Sequence, residues 1–363
     1  MKGIIGVLEG DYIGPEITGE AVKVLKTIAQ KYDHSFELMR LYASGEAYDK
    51  FGQSLPEITL KKAQKCDALL KGPFGGPPEE INHPKWSNIE GETILPLRKK
   101  FALFTNLREI KVYNSLLDIS PLRAEIIRDT NILIVRELIS GIYFGEKKLE
   151  RKNNEKIGSD LLIYRESEIK RIAKKAFTLA QKRKKRVTLV AKANILKSSQ
   201  LWKEVVNDIA QEFPDIDYNY LHVDNASMQL IKNPGQFDVI LTGNMFGDIL
   251  SDEASVLSGS IGLQPSASLG SSSFGMYEPI HGSAPSIAGK DIANPISSIL
   301  SGALMLRYTF ELDQEAADIE EGVNKVLDKG YRTKDLVSQA KNNNKTSKIV
   351  GTKEMGDLIC NEI

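Results

Sequence analysis

Short apolar runs of β-forming residues alternate with longer segments whose apolar residues recur at helical spacing, and this alternation limits the chain most. Residues 4 to 8 are apolar and lead into Gly10-Asp11-Tyr12-Ile13-Gly14-Pro15, after which Ile17, Ala21, Val24, Leu25, Ile28 and Tyr32 return every three or four positions. That is a strand, a glycine-bearing turn and a helix opened by proline at its first position. The pattern continues with Phe36 to Leu41 as strand, Pro56 to Cys66 as helix and Asp67 to Lys71 as strand. Further along, Asn131 to Val135, Val187 to Ala191 and Phe237 to Leu241 read as strands. Ile169, Ile172, Ala173, Ala176, Phe177 and Ala180 form one helical face, and Met245 to Leu257 reads as a helix. The alternation predicts an α/β fold, and 363 residues are more than one core usually organises, so two domains are expected. Residues 72 to 92 carry four prolines and four glycines and read as a long loop over a surface or site. Between Ile142 and Tyr164, two short β-like runs flank a charged stretch, an excursion or arm.

Charge excludes some functions. The 48 Lys+Arg balance 48 Asp+Glu, which argues against electrostatic capture of nucleic acid or an anionic membrane. The most basic run, Lys182 to Arg186, lies at a helix C-terminus, where it complements the macrodipole on an exposed turn or forms a nucleic-acid patch. Cys66 and Cys360 are the only cysteines, too few for a disulfide framework and without zinc-site spacing. No apolar stretch reaches the roughly 18 residues of a membrane span. The apolar run after Lys2 meets Glu9 and Asp11 at once, too early for a secretory signal. A cytoplasmic protein is expected. Lys341 to Lys348, with three consecutive asparagines, reads as an exposed connection before the closing helix.

Four segments could carry chemistry. In Gly247-Asp248-Ile249-Leu250-Ser251-Asp252 two carboxylates share one helix face at i and i+4, where they repel unless a cation lies between them. Oxygen ligands of this kind suit Mg²⁺ or Mn²⁺; the alternative is a solvated acidic face. Arg98, Arg108 and Arg136 each adjoin apolar strand-like or helical sequence. Convergent guanidinium forks would mark a di- or tricarboxylate substrate, and taken singly they would be surface ion pairs. Lys192 follows a β-rich run, where it is a candidate general base or a strand-end lysine reaching water. Glu278 to Pro285 and Gly289 to Pro295 form turn-rich loops with small residues that allow close approach to a ligand. A Walker A loop and the G-x-G-x-x-G fingerprint are both absent.

Together these segments resemble the β-decarboxylating dehydrogenases, the isocitrate/isopropylmalate family. The resemblance runs in register from the Gly10 loop to Asn294-Pro295. It rests on Leu97-Arg98-Lys99-Lys100, Asn106-Leu107-Arg108, Val135-Arg136-Glu137, Gly141 to Glu146, Lys192-Ala193-Asn194, Gly247 to Asp252 and the His281 loop. It implies that family's two-domain α/β fold, distinct from a Rossmann domain. A first, cofactor-side domain would comprise 1–103 and 259–363, and a second, dimerising domain 104–258. It also implies a homodimer whose active sites are shared between subunits. Asp248, Asp252 and Asp224 from the other subunit would hold Mg²⁺ or Mn²⁺, with Asp224 also at the substrate. Arg98, Arg108 and Arg136 would hold the malate carboxylates, Lys192 would be the base and Tyr143 the acid. NAD would be bound by Glu90, His281, Gly282, Ser283, Ala284, Ser286 and Asn294.

Ile94 and Leu95 stand where isopropylmalate-type members present an apolar pair to the substrate's side group, so a 3-alkylmalate, 3-isopropylmalate of leucine biosynthesis, is the expected small-molecule substrate. Homoisocitrate, D-malate, tartrate or another, bulkier 3-alkylmalate would be alternatives, and a non-catalytic regulatory subunit an alternative of another class. The chain departs from the family pattern at Tyr12 (usually glycine), Glu109 (usually proline), Ile139-Ser140 (usually Thr-Gly), Ala191 (often aspartate) and Ser286. At position 286 NAD-linked members carry an aspartate for the adenosine ribose, and Asp291 is a candidate substitute.

Overall fold

The apolar runs lie side by side in one large sheet. A computed structural model describes residues 1–337 and 347–363, and among these are twelve strands of four residues or more. They are β1 Lys2–Leu8, β2 Ser35–Leu41, β3 Ala68–Lys71, β4 Thr105–Lys111, β5 Asn131–Glu137, β6 Lys147–Lys152, β7 Glu155–Asp160, β8 Arg186–Ala191, β9 Asp217–His222, β10 Val239–Thr242, β11 Pro265–Leu269 and β12 Gly275–Pro279. Ten form a sheet in the order β2-β1-β3-β12-β11-β4-β5-β10-β8-β9, parallel except at the β12–β11, β11–β4 and β4–β5 pairings. Strands from positions 2–71 and 265–279 make one half, and strands from 105–242 the other. Central strands such as β10, Val-Ile-Leu-Thr, are buried on both faces, which is why they read as continuous rather than alternating apolar runs.

Helices cover both faces. Gly14–Lys31 and Asp313–Asp328 pack on Ile296–Tyr308, and Thr352–Glu362 packs on the first two. The helix Ile296–Tyr308 is buried from Ile296 through Leu306, as expected of one apolar on nearly every side. Glu166–Gln181 and Lys197–Gln211 pack together on the other half. No helix among the described residues is long and apolar enough to cross a membrane.

The structure adds detail to four local expectations. Residues 72–92 are not all loop: Pro78–Glu80 makes a 3₁₀ turn and Ile89–Glu92 a helical turn. Trp86 is the reason, since its ring is buried against Gly76 and its indole N–H donates to Glu80 at 3.0 Å. The Ile142–Tyr164 excursion contains an exposed antiparallel hairpin of β6 and β7. Its turn residues Asn153 and Asn154 both have positive φ, as a tight type I′ turn requires. The basic run is only partly solvated: Arg183 pairs with buried Asp238 (2.9 Å), Lys185 with Asp215 (3.2 Å) and Arg186 with Asp217 (3.1 Å). Of the predicted connection Lys341 to Lys348, residues 341–346 lie outside the described residues, while Lys348 pairs with Tyr331 in a two-residue strand.

Candidate active site

Two strands and one short helix deliver the arginines to one place. Arg136 projects from the end of β5 and is 2% exposed. Its Nε and Nη2 donate to Asn244 Oδ1 at 3.1 and 2.8 Å, and its Nη1 to Asp248 Oδ1 at 2.5 Å. Its stem passes so close to Gly247 that a Cβ there would sit 2.6 Å from Arg136 Cγ, so this glycine makes room for the guanidinium. Arg108, on β4, donates to Asn106 Oδ1 (3.0 Å), Ser251 Oγ (2.6 Å), Asp252 Oδ1 (3.0 Å) and Asp248 Oδ1 (3.2 Å). Arg98, on the helix Ile94–Lys100, reaches Glu278 at 3.5 Å, and its Nε is buried without a partner. That unused donor suits an incoming carboxylate.

These groups line a cleft of about 520 Å³ together with Glu90, Ile94, Leu95, Tyr143, His281 and Gly282. Tyr143 donates its hydroxyl to Asp248 Oδ2 at 3.0 Å. Burial opposes ionisation of Asp248, but Arg136, Arg108 and the Tyr143 hydroxyl outweigh it and hold the carboxyl below its usual range. Asp252 shifts upward, because burial, with the charge of Asp248, outweighs Arg108. Burial and the neighbouring Arg108 push Arg136 below the ordinary guanidinium value against the pull of Asp248; a guanidinium remains charged under such pressure.

One group at the site, Lys71, has no counterpart in the sequence reading, and Glu278 figures there only as the start of a loop. Lys71, at the end of β3, is 1% exposed and holds Glu278 Oε2 at 2.5 Å, with its Nζ also 4.0 Å from the Phe74 ring centroid. Burial works against the ionised Glu278, yet Lys71 and Arg98 overcome it and lower its carboxyl below the usual value. The pair therefore fixes Arg98 from behind. A lysine closing a four-residue strand carries no sequence signal of this; only its burial reveals it.

The carboxylates Asp248 and Asp252 fit a hard divalent cation by donor type and by facing the cleft. Among the described residues no group of three or more His, Cys, Asp or Glu side chains could hold a metal, so one chain supplies two carboxylates at most. Asp224 and Lys192 lie elsewhere: they pair with each other at 2.6 Å, with Asp224 63% exposed, and neither lines the arginine cleft.

A second groove of about 380 Å³ shares His281 and Gly282 with the first and is lined by Ala284, Ile287, Ile292 and Asn294. His281 Nδ1 meets the Gly282 carbonyl at 3.0 Å, while its Nε2 is buried and unpartnered at the junction. Burial lowers its pKa, so a neutral ring donating from Nδ1 leaves Nε2 as a free acceptor for a ligand that spans both grooves. Two residues expected at the cofactor line neither groove. Ser283 is buried and ties two loops, its hydroxyl donating to Gly75 O at 2.9 Å. Ser286 is exposed and its carbonyl accepts Lys290 Nζ at 2.8 Å. Asp291, the candidate substitute, accepts the Lys353 N–H at 3.0 Å and so caps the closing helix. Tyr12 holds φ of +51°, which explains the glycine usual at that position, and Glu109 faces Arg183 at 3.8 Å.

The family model described as "Isocitrate/isopropylmalate dehydrogenase" matches residues 4–359. Among curated relatives, the 3-isopropylmalate dehydrogenase of Clostridium acetobutylicum is 50% identical, with 99% of each chain covered. That of Xanthomonas euvesicatoria is 51% identical, again over 99% of each. Among solved structures, the isocitrate dehydrogenase of Methylococcus capsulatus is similar with a TM-score of 0.85 at 34% identity, covering 99% of both chains.

Proposed function

The chain belongs to the isocitrate/isopropylmalate dehydrogenase family, and on that premise we propose that it catalyses the oxidative decarboxylation of 3-isopropylmalate to 4-methyl-2-oxopentanoate with reduction of NAD⁺, a step of leucine biosynthesis. The observation that carries this reading is the half-identical, full-length match to 3-isopropylmalate dehydrogenases. The cleft that sets three arginines beside Ile94 and Leu95 supports it.

Arg98, Arg108 and Arg136 bind the two malate carboxylates, and Ile94 and Leu95 take the isopropyl group. A divalent cation held by Asp248 and Asp252 supplies Lewis-acid polarisation when bound, and the nicotinamide supplies the hydride acceptor. Lys192 removes the C2 hydroxyl proton as oxidation proceeds. After CO₂ leaves C3, Tyr143 returns a proton to that carbon. Because Lys192 and Asp224 lie outside their own chain's cleft, the reading requires a homodimer that offers them to the neighbouring subunit. Exposed Ile195, in the turn that bears Lys192, and exposed Met228 and Ile249, on the helices Val223–Lys232 and Asn244–Ser255 that bear Asp224 and Asp248, support such a second copy. The same reading takes 1–103 with 259–363 as the cofactor-side domain, 104–258 as the dimerising one, and the cytoplasm as its compartment. A spectrophotometric panel of 3-isopropylmalate, isocitrate, homoisocitrate, D-malate and tartrate, each with NAD⁺ and NADP⁺ in Mn²⁺, tests it. Greatest kcat/KM on any substrate but the first refutes the assignment.

Replacing Ile94 and Leu95 with serine and asparagine should weaken 3-isopropylmalate more than D-malate by about 1–3 kcal/mol in kcat/KM, because only the former buries an alkyl group. Equal losses on both would show that the pair does not face that group.

The cofactor reading is NAD with weaker discrimination against NADP than a carboxylate at position 286 would give. Ser286 supplies no negative charge to repel a 2′-phosphate, and Asp291 is committed to the Lys353 N–H. Ser286→Asp should raise the NAD⁺/NADP⁺ ratio of kcat/KM. An unmoved ratio would mean that residue 286 does not reach the ribose.

A further inference from the structure

β9, at the edge of the sheet, sends Tyr218, Tyr220 and His222 to one face, as strand alternation requires. Tyr218 donates its hydroxyl to Asn207 at 2.9 Å. Tyr220 stands opposite Leu189 in the parallel register with β8, and its ring carries the hydroxyl forward to the turn that begins at Lys192. There the phenol meets the main chain on both sides of the lysine. The Ala193 N–H donates to its oxygen at 3.0 Å, and the Ala191 carbonyl lies 3.2 Å away as an acceptor.

The turn is short of other ties to the sheet. The ladder with β9 ends at the Ala191–His222 pair, so Lys192 and Ala193 lie beyond it. The Lys192 carbonyl accepts the Ile195 and Leu196 N–H groups at 3.1 and 3.0 Å, and Gln200 donates to the Ala193 carbonyl at 3.0 Å. Those bonds fix the downstream side of the turn, whereas Tyr220 fastens it to β9. A hydroxyl has one proton and two lone pairs, and Tyr220 also meets His222 Nδ1 at 2.9 Å. All three contacts are satisfied together when Nδ1 carries a proton and donates to the phenol oxygen, which leaves the phenol's own proton for the Ala191 carbonyl. The two rings stand edge to face, with centroids 5.2 Å apart.

We propose that Tyr220 is a positioning residue for the oxidation step: its one hydroxyl brackets Lys192 and so sets the direction from which the amine reaches the substrate hydroxyl. This rests on the reading of Lys192 as the base. A lysine stem of four flexible carbons places its amine only as well as the main chain beneath it is held. The same stretch of chain serves Asp224, which lies two residues after His222 and holds Lys192 at 2.6 Å. Both members of that pair are therefore anchored to the end of β9.

Tyr220→Phe removes one oxygen and keeps the ring. In steady-state assays of the full-length enzyme with 3-isopropylmalate, NAD⁺ and Mn²⁺, kcat should fall about tenfold, short of the roughly 100-fold that a full ångström of misplacement costs. Both KM values and the urea midpoint should stay at wild type. Lys203, whose Nζ lies 4.9 Å from the Tyr220 ring centroid, touches the ring and not the hydroxyl, so Lys203→Met should leave kcat unchanged. A wild-type kcat for Tyr220→Phe, a loss carried by KM, or an equal fall in kcat for Lys203→Met overturns the proposal. Lys192→Met, measured alongside, separates the two readings. If it is inactive while Tyr220→Phe keeps its full kcat, the positioning role alone fails. If Lys192→Met itself turns over normally, the base assignment fails and the positioning role with it.

Discussion

Asp252→Asn is expected to abolish turnover at low Mn²⁺ while the protein stays folded, whereas Asp248→Asn is expected to lose both activity and stability. The two residues are one helical turn apart but differ in what surrounds them. The Asp252 side chain is 59% exposed and meets one arginine at 3.0 Å. Arg108, its buried partner, keeps Asp248, Asn106 and Ser251 as acceptors when Asp252 loses its charge, so little folding energy is lost. Asp248 joins Arg136, 2% exposed, to Arg108 and to the Tyr143 hydroxyl. Without its charge buried Arg136 keeps only neutral acceptors and faces Arg108, which retains Asp252, and this costs about 3 kcal/mol, the lower end for a broken buried pair because Asp248 is itself one-third exposed. Chemical denaturation and Mn²⁺ titration of activity check both outcomes. Full activity of Asp252→Asn in low Mn²⁺ would remove it from the cation site. An unchanged denaturation midpoint for Asp248→Asn would show that the arginines do not depend on it.

Lys192→Met should lower kcat by about 10²- to 10⁴-fold, the range for loss of a positioned general base, with little change in stability. Its one ion pair, to a largely exposed Asp224, lies on the surface of the single chain, where removing it costs little. Measured kcat and KM for 3-isopropylmalate separate the roles: a base lost from the chemical step lowers kcat, whereas a lysine that only binds raises KM. Near wild-type kcat at neutral pH would rule Lys192 out as the base. Mixed dimers of Lys192→Met and Arg136→Met subunits add a further check. If the site is shared, pairing the two inactive chains should restore one functional site per dimer.

Much of the architecture was legible because periodicity reports burial. β1, β5, β8 and the helix after the first turn appear in the sequence within a residue or two of their observed ends, since each buries a continuous or regularly spaced apolar face. The helix over Ile89–Glu92 was not legible. Its anchor, Trp86, acts through contacts with Gly76 and Glu80 that become neighbours only when the segment folds back. The same limit applied at the site. Asp248 and Asp252 could be paired from an i, i+4 spacing, a local property, but the buried Lys71–Glu278 support of Arg98 joins residues 207 positions apart and leaves no local trace.

By itself the sequence determined the α/β class, the family and the identity of the charged groups that carry the chemistry, because alternation, capping and motif spacing are properties of neighbouring residues. Only the tertiary structure decided which groups meet. It converged Arg98, Arg108 and Arg136 on one cleft, held Lys192 and Asp224 outside it and committed Asp291 to the Lys353 N–H. Each depends on sheet order and on which face of a strand or helix turns inward. Those are settled by long-range packing, which brings distant residues within the few ångströms over which hydrogen bonds and ion pairs act.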